Sequence, residues 1–323
     1  MITMSRAMSM YSDPAVLSRS WWWTRRGAGF FRRLIIAAVA TLAGAALVGL
    51  TGCSALRIGY GQAPDLIYWW LDGYVDFDGD QTPKVRDALA EWFAWHRRTQ
   101  LPDYADLLVR AQKEVLADTT PARVCDWQRE LIKRAHTAYD RAEPAAAEIV
   151  LTISPAQIAH LEKRYTKFNE EFRDEYLQAE PARRAKKNLD RVLDRAEMLY
   201  GRLDDAQRSR IAEQLARSPF DPEVWLAERQ QRQQDALRLL RSMGADGTMS
   251  REQAASALRG YVERLERSPR DAYRRYAERL GEFNCTLAAN LHNATTPSQR
   301  RAAAKKLASW EGDLRAIAAL GNR

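Results

Sequence analysis

Leu151-Thr152-Ile153-Ser154-Pro155-Ala156-Gln157 runs directly into Ile158, Leu161, Tyr165, Phe168, Phe172 and Tyr176. The first part is a helix start. A serine side chain at the N-cap accepts an orphan backbone N–H, and proline at the next position needs no N–H. A glutamine three residues after the cap reaches back to the cap's own N–H. The second part is a helix body, because its apolar residues step by three or four along a single face.

Working outward, the same grammar recurs. Five other prolines follow a good cap: Thr82-Pro83, Thr120-Pro121, Asp221-Pro222, Ser268-Pro269 and Thr296-Pro297. Pro102 and Pro181 lack such a residue before them and mark weaker starts. Tyr276, Leu280, Phe283, Leu287 and Leu291 form a second apolar stripe, and Val124, Trp127, Leu131, Ala135 and Tyr139 a third. Between these marks the chain is rich in strong helix formers, and only Glu148 to Ile153 resembles a strand. Ala227 to Asp235 is almost wholly polar and predicts a solvated stretch of helix. The cap-and-glutamine pattern also occurs at Asp204/Gln207, Ser250/Gln253 and Thr296/Gln299, at intervals near 46 residues. That interval suits a helical-pair repeat, with simple recurrence of good caps as the alternative. The expected fold is all-α, a multi-helix bundle of about eight to ten helices, with helical-pair repeats as one way of building it.

Composition agrees with a packed protein. Of 323 residues, 46% are hydrophobic and 28% charged, and 16 glycines, 12 prolines and 3 cysteines exclude collagen-like and disulfide-dense classes. The net charge is +8, but six arginines stand against Asp13 alone in residues 1–52, which leaves +3 for all that follows. Nothing there builds the concentrated basic face of a nucleic-acid binder, so no nucleic acid is expected as a partner.

The N-terminal charge belongs to a targeting signal. Arg32-Arg33 precedes an uncharged run from Leu34 to Leu50, and Leu50-Thr51-Gly52-Cys53 closes it. A basic segment followed by an apolar run is an export signal. The closing tetrapeptide is similar to a bacterial lipobox, whose cysteine receives a diacylglyceryl group and a palmitate-class acyl chain. Several chains on one residue give stable anchoring. A retained membrane helix is the competing reading. In the Gram-negative lipoproteins whose lipobox this resembles, serine after the cysteine (here Ser54) permits export outward, so the resemblance implies the outer membrane, facing the periplasm. The expected organisation is a signal peptide over 1–52, a lipidated N-terminus and aromatic connector over 53–81, and a helical periplasmic domain over 82–323.

Two resemblances follow. Leu151 to Gln157 and Leu203-Asp204-Asp205-Ala206-Gln207 resemble the leucine–threonine–x–x–glutamine helix starts of small periplasmic stress chaperones of the Spy and CpxP type. The stretches Cys53-Ser54-Ala55-Leu56-Arg57 through Tyr68 to Phe77, and Trp92 to Leu101, are similar to a Gram-negative lipoprotein family of unknown function. That resemblance implies a lipid-anchored helical protein and supplies no activity.

Candidate sites are few. With Cys53 lipidated, Cys125 and Cys285 remain, and two leftover thiols in an exported protein are expected to pair, a buried free thiol being the alternative. Asp76, Asp78, Asp80 and Asp87 echo a calcium loop, but Gln81 stands where glycine is needed, and Asp78 or Thr82 capping the next helix is simpler. His96, His136, His160 and His292 show no metal spacing. No metal, cofactor or catalytic residue is assigned. Tyr68, Trp69, Trp70 and Tyr74 form the most conspicuous cluster: a membrane-headgroup contact, a partner patch, or a segment docked on the core, with docking the simplest. Arg183-Arg184-Ala185-Lys186-Lys187, and Arg300-Arg301 with Lys305-Lys306, are read as solvated faces. The expected function is a lipid-anchored envelope protein acting as a non-enzymatic binding, scaffold or chaperone-like module with an envelope protein partner. The alternative is an envelope enzyme with a site assembled in a helical cleft.

Overall fold

The computed structural model describes residues 55–244 and 249–320; the signal segment and Cys53 lie outside the described residues. Ten helices and no strand occur among the described residues. They are α1 (Ala55–Val75), α2 (Gln81–Glu114), α3 (Pro121–Val150), α4 (Pro155–Tyr176), α5 (Pro181–Tyr200), α6 (Asp205–Leu215), α7 (Pro222–Gly244), α8 (Arg251–Glu266), α9 (Asp271–Asn293) and α10 (Pro297–Leu320). The all-α multi-helix fold is therefore as the sequence predicts.

Packing is mostly antiparallel. α2 and α10 run past each other, with Arg315 on Asp106 at 3.0 Å, Gln112 on Glu311 at 3.3 Å and Arg300 on Asp118. α3 is covered by α8 over its second half, through Arg259 on Glu143, and by α9 over its first, through the Cys125–Cys285 bond. α4 packs along α7, where Phe172 stacks on Trp225. The apolar core is divided into small clusters. Ile158, Leu161 and Leu237 fill one, Leu193, Ala196, Leu203 and Ile211 a second, and Ala147, Met243 and Ala254 a third. Leu203, Leu237 and Met243 are almost fully buried, each worth about 2–3 kcal/mol of apolar burial.

Several expected details differ. α2 begins at Gln81, ahead of Pro83, because the Asp78 carboxylate accepts from the backbone of Asp80 and Gln81 and caps the helix earlier. Pro102 starts nothing and lies inside α2. Ser268 bonds the Arg270 N–H, so Pro269 precedes α9 and is not part of it. In the third stripe Leu131 is 51% exposed and Ala135 is exposed; α3 turns its small residues Ala138 and Ala147 inward, where a close helix approach needs them. The polar stretch from Ala227 to Asp235 is not uniformly solvated. Glu228 and Gln233 are buried, because Arg232 and Arg270 neutralise the first and Asn169 exchanges amide bonds with the second. The segment read as a connector is helix α1 over most of its length, packed on α2, α4 and α10.

Candidate functional site

Five helix starts share one local chemistry, and four of them meet in pairs. At the first pair, Asp78 and Gln81 exchange bonds, with the Gln81 N–H on the Asp78 carboxylate at 2.8 Å and the Asp78 N–H on the Gln81 amide oxygen at 3.1 Å. Ser154 and Gln157 do the same in a complete capping box. The two glutamines then clasp each other. The Gln157 amide donates to Gln81 Oε1 at 2.6 Å and to the Asp76 carbonyl at 2.9 Å. Gln81 returns a longer bond to Gln157 and a 2.9 Å bond to the Thr152 carbonyl. Each glutamine thus satisfies its own cap, its partner's side chain and the loop before its partner's cap. Both are buried, where a polar group must be bonded or it costs free energy.

The second pair copies the first. Asp204 and Gln207 form a complete capping box, and Thr296 and Gln299 make the same reciprocal bonds. Gln207 donates to Gln299 at 2.8 Å and to the Ala294 carbonyl at 2.9 Å; Gln299 donates to Gln207 at 3.0 Å and to the Arg202 carbonyl at 2.9 Å. In every case the carbonyl lies two residues before the partner's cap. The fifth start, Ser250 with Gln253, completes its own capping box beside the first pair, through Arg251 on Glu148 and Ala254 packed near Ala147. The caps therefore associate Asp78 with Ser154 and Asp204 with Thr296, rather than in series along a 46-residue period.

Each clasp borders a cleft. That of the first is about 330 Å³, lined by Gln81, Lys84 and Ala88 on α2 and by Glu148, Ile149 and Thr152 before the partner cap. That of the second is about 380 Å³, lined by Gln207, Arg210 and Gln214 on α6 and by Asn290, Leu291 and Ala294. The register is the same in both: a clasp glutamine, a cation one turn on, a third residue two turns on, and an aliphatic side chain from the preceding helix. α3 separates them. The turn after its C-terminal end enters the first clasp, and the loop before its N-terminal end lies near the second, where His292 Nε2 meets the Ala117 carbonyl at 2.7 Å. Thirty residues of helix, about 45 Å of α3, run between the neighbourhoods of the two sites.

The element order from the loop before Asp78 to the Ser250 start bears on identity. Residues 73–251, more than half of the chain, match the family described as "Family of unknown function (DUF6279)". The chain belongs to that family. The DUF6279 region holds the first clasp entire, the Asp204/Gln207 half of the second, and ends on the fifth start. No curated protein and no solved structure matches the chain.

The aromatic cluster is split by the fold. Tyr68 is buried, with its hydroxyl on Thr82 at 2.9 Å and the Arg86 guanidinium over its ring. Tyr74 stacks on Phe168 with centroids 5.0 Å apart. Trp69 and Trp70 face outward, at 61% and 41% exposure. Cys125 and Cys285 are joined, with Cα atoms 5.5 Å apart, tying α3 to α9. Asp78 serves as a cap, and among the described residues no group of His, Cys, Asp or Glu is placed to hold a metal ion. Cys53 lies outside the described residues.

The histidines do separate jobs. His96 sits among Tyr60, Trp92, Phe93 and Tyr104, its Nδ1 2.9 Å from the Tyr60 hydroxyl, and burial lowers its pKa to about 4. His292 is also pushed down by burial; its Nε2–H donates to Ala117, so Nδ1 accepts from Tyr200 at 2.8 Å. His160 approaches the Gly73 carbonyl, and His136 lies on Glu266 at the surface. The sequence reading offered Asp78 as a cap but missed Gln81 as its reciprocal partner, although the spacing matches the other four starts. It also missed the buried carboxylates Glu143 and Glu228, which look like surface charges in an arginine-rich helical sequence. Burial opposes ionisation of Glu228, but hydrogen bonds from Arg270, Arg232 and Ser268 outweigh it and hold the pKa low.

Proposed function

We propose that this protein is lipid-anchored through Cys53 to the periplasmic face of the outer membrane and acts there as a non-enzymatic, chaperone-like binding module. The observation that carries the binding half is the pair of equivalent clefts, each beside a glutamine clasp. Such a cleft offers an aliphatic wall, a cation and amide groups, which suit an extended polypeptide segment with mixed side chains. Two copies on one body let one client chain engage both, and linked engagement multiplies weak affinities. The helix starts that resemble those of Spy and CpxP are the ones that build the clefts. The anchor half rests on Leu50-Thr51-Gly52-Cys53 and on the apolar run before it.

Photo-crosslinking in intact cells tests the reading. A photoreactive residue at Ala88 or Gln214 should trap envelope polypeptides, while one at Glu263 on α8 should not. The mature protein should also suppress aggregation of an unfolding client. Equal trapping at all three positions, or turnover of an envelope substrate abolished by one polar change that leaves folding intact, would overturn it. Intact mass measurement of membrane-extracted protein should show acyl chains on Cys53; an uncleaved, unmodified N-terminus would remove the anchor.

A further inference from the structure

We infer that the outward face of α1 lies on the surface of the bilayer that holds the lipid anchor. This inference rests on the reading of Cys53 as the acylated residue.

α1 differs from the helices around it in what it leaves outside. Ile58, Trp69 and Trp70 are 57%, 61% and 41% exposed, and Leu66 is half-buried between them along the same side. At 3.6 residues per turn, Ile58, Gln62, Leu66 and Trp69 fall on one stripe opposite the docked Tyr60, Tyr68 and Leu71, a stripe that ends before Gly73, where α4 packs. The charges of α1 are turned inward or neutralised. Arg57 reaches Asp313 at 2.9 Å, Asp65 takes Arg86 at 2.7 Å, and the Asp72 carboxylate accepts the Phe77 N–H at 3.0 Å. What faces out is tryptophan and aliphatic side chain with the Gln62 amide, flanked by the exposed Asp65–Arg86 ion pair, and tryptophan beside paired charge suits a membrane–water interface.

The position of the chain outside the described residues selects the occupant. It ends at residue 54, so α1 begins two residues after Cys53. An anchor so close leaves no linker with which to hold the helix away from the headgroups. If α1 stood upright, Trp69 would rise about 24 Å from the acylated residue and would be stranded in water. Lying flat places Ile58, Trp69 and Trp70 in the interface together. Among the described residues no helix is long and apolar enough to cross a membrane, so α1 rests on the surface. Tyr74 stacked on Phe168, and His160 against the Gly73 carbonyl, then fix α4 above it. The second function of the aromatic segment is thus to set the orientation of the whole helical body relative to the membrane.

Depth-resolved quenching tests this. Gln62→Cys, Trp69→Cys and, as a control on α8, Glu263→Cys are each labelled with an environment-sensitive fluorophore in full-length protein purified from membranes. The labelled proteins are placed in phosphatidylethanolamine–phosphatidylglycerol vesicles containing nitroxide-labelled lipid. Emission should be lost at positions 62 and 69 and kept at 263. Water-like emission at 62 and 69 would overturn the inference. So would labels at 62 and 69 that are shielded from water but unquenched by lipid, with a crosslinked second copy or partner protein covering the face. Intact mass on the same sample separates the two claims. Acylated Cys53 without quenching defeats the surface contact and leaves the anchor standing. Unmodified Cys53 defeats the anchor, and the contact is then upheld or lost by whether positions 62 and 69 are still quenched.

Discussion

The two glutamine clasps are built from the same parts but sit in different surroundings. In the first, Gln81 and Gln157 are both buried, with Ile158, Leu161 and Leu237 packed close by. In the second, Gln207 is buried while Gln299 is only half-buried, and Arg300 beside it points to the exposed Asp118. The same reciprocal pattern of bonds therefore carries unequal energetic weight. A buried amide that loses its partner has no water to turn to, whereas a half-exposed one is rescued by solvent. The first clasp should behave as a structural lock and the second as a joint that can loosen, which suits the cleft beside it to clients of varied shape.

The largest effect is expected where the two ends are tied together. The Cys125–Cys285 bond links α3, which enters the first clasp, to α9, which enters the second. Replacing both cysteines with alanine should cost about 3–5 kcal/mol in the loop-entropy account, read as a lower denaturation midpoint. A midpoint unchanged by the double replacement would show that the helix packing alone sets the distance between the clasps. Next comes Gln157→Ala, which strips the Ser154 N–H and the Asp76 carbonyl of the Gln157 bonds and leaves Gln81 held only by Thr152 and Asp78. It should cost about 2–3 kcal/mol in urea melts. Gln299→Ala at the wetter clasp should cost only about 1 kcal/mol. Equal losses at the two sites would erase the distinction between lock and joint.

Away from both clasps, His96 gives a smaller and pH-dependent effect. Its folded pKa is lowered from 6.5 to about 4, so the neutral form is the one the fold favours. Stability from this group is present above 6.5 and falls as pH drops from 6.5 toward 4, because the unfolded chain takes up the proton first. The loss should be on the order of 1 kcal/mol after allowing for solvent screening at a partly exposed ring. His96→Gln should flatten that part of the stability–pH curve, and an unchanged curve would sink the assignment.

What the sequence made legible was local. Ser154, Thr120 and Asp204 can be read as caps because the partner N–H lies within three residues of each, and the stripe from Ile158 to Tyr176 needs only helical periodicity. The clasps were not legible, because Gln81 and Gln157 serve two purposes. One bond is local and visible as a capping box; the others run to residues 71 to 81 positions away. At the α2 start, Thr82-Pro83 competed with Asp78 as the cap, and Gln81 stood out only as a residue that spoils a calcium loop. α1 was hidden by Gly59, Gly61 and Pro64, residues that argue against a helix by propensity, a cost of about 3 kcal/mol for the proline alone. The packing of Tyr60 on His96 and Tyr74 on Phe168 overrides it. Glu228 and Glu143 were invisible for a related reason. Their burial depends on arginines at 270 and 259, which no local pattern connects to them.

The claim that four helix starts form two reciprocal clasps is tested most directly by a pair of double-mutant cycles. The first combines Gln81→Ala with Gln157→Ala, and the second Gln207→Ala with Gln299→Ala, each read by equilibrium urea unfolding. The account predicts a coupling energy of about 1–2 kcal/mol in the first cycle and a smaller coupling of the same sign in the second. Strictly additive losses in both cycles would mean that the glutamines cap their own helices independently, and would contradict the clasps.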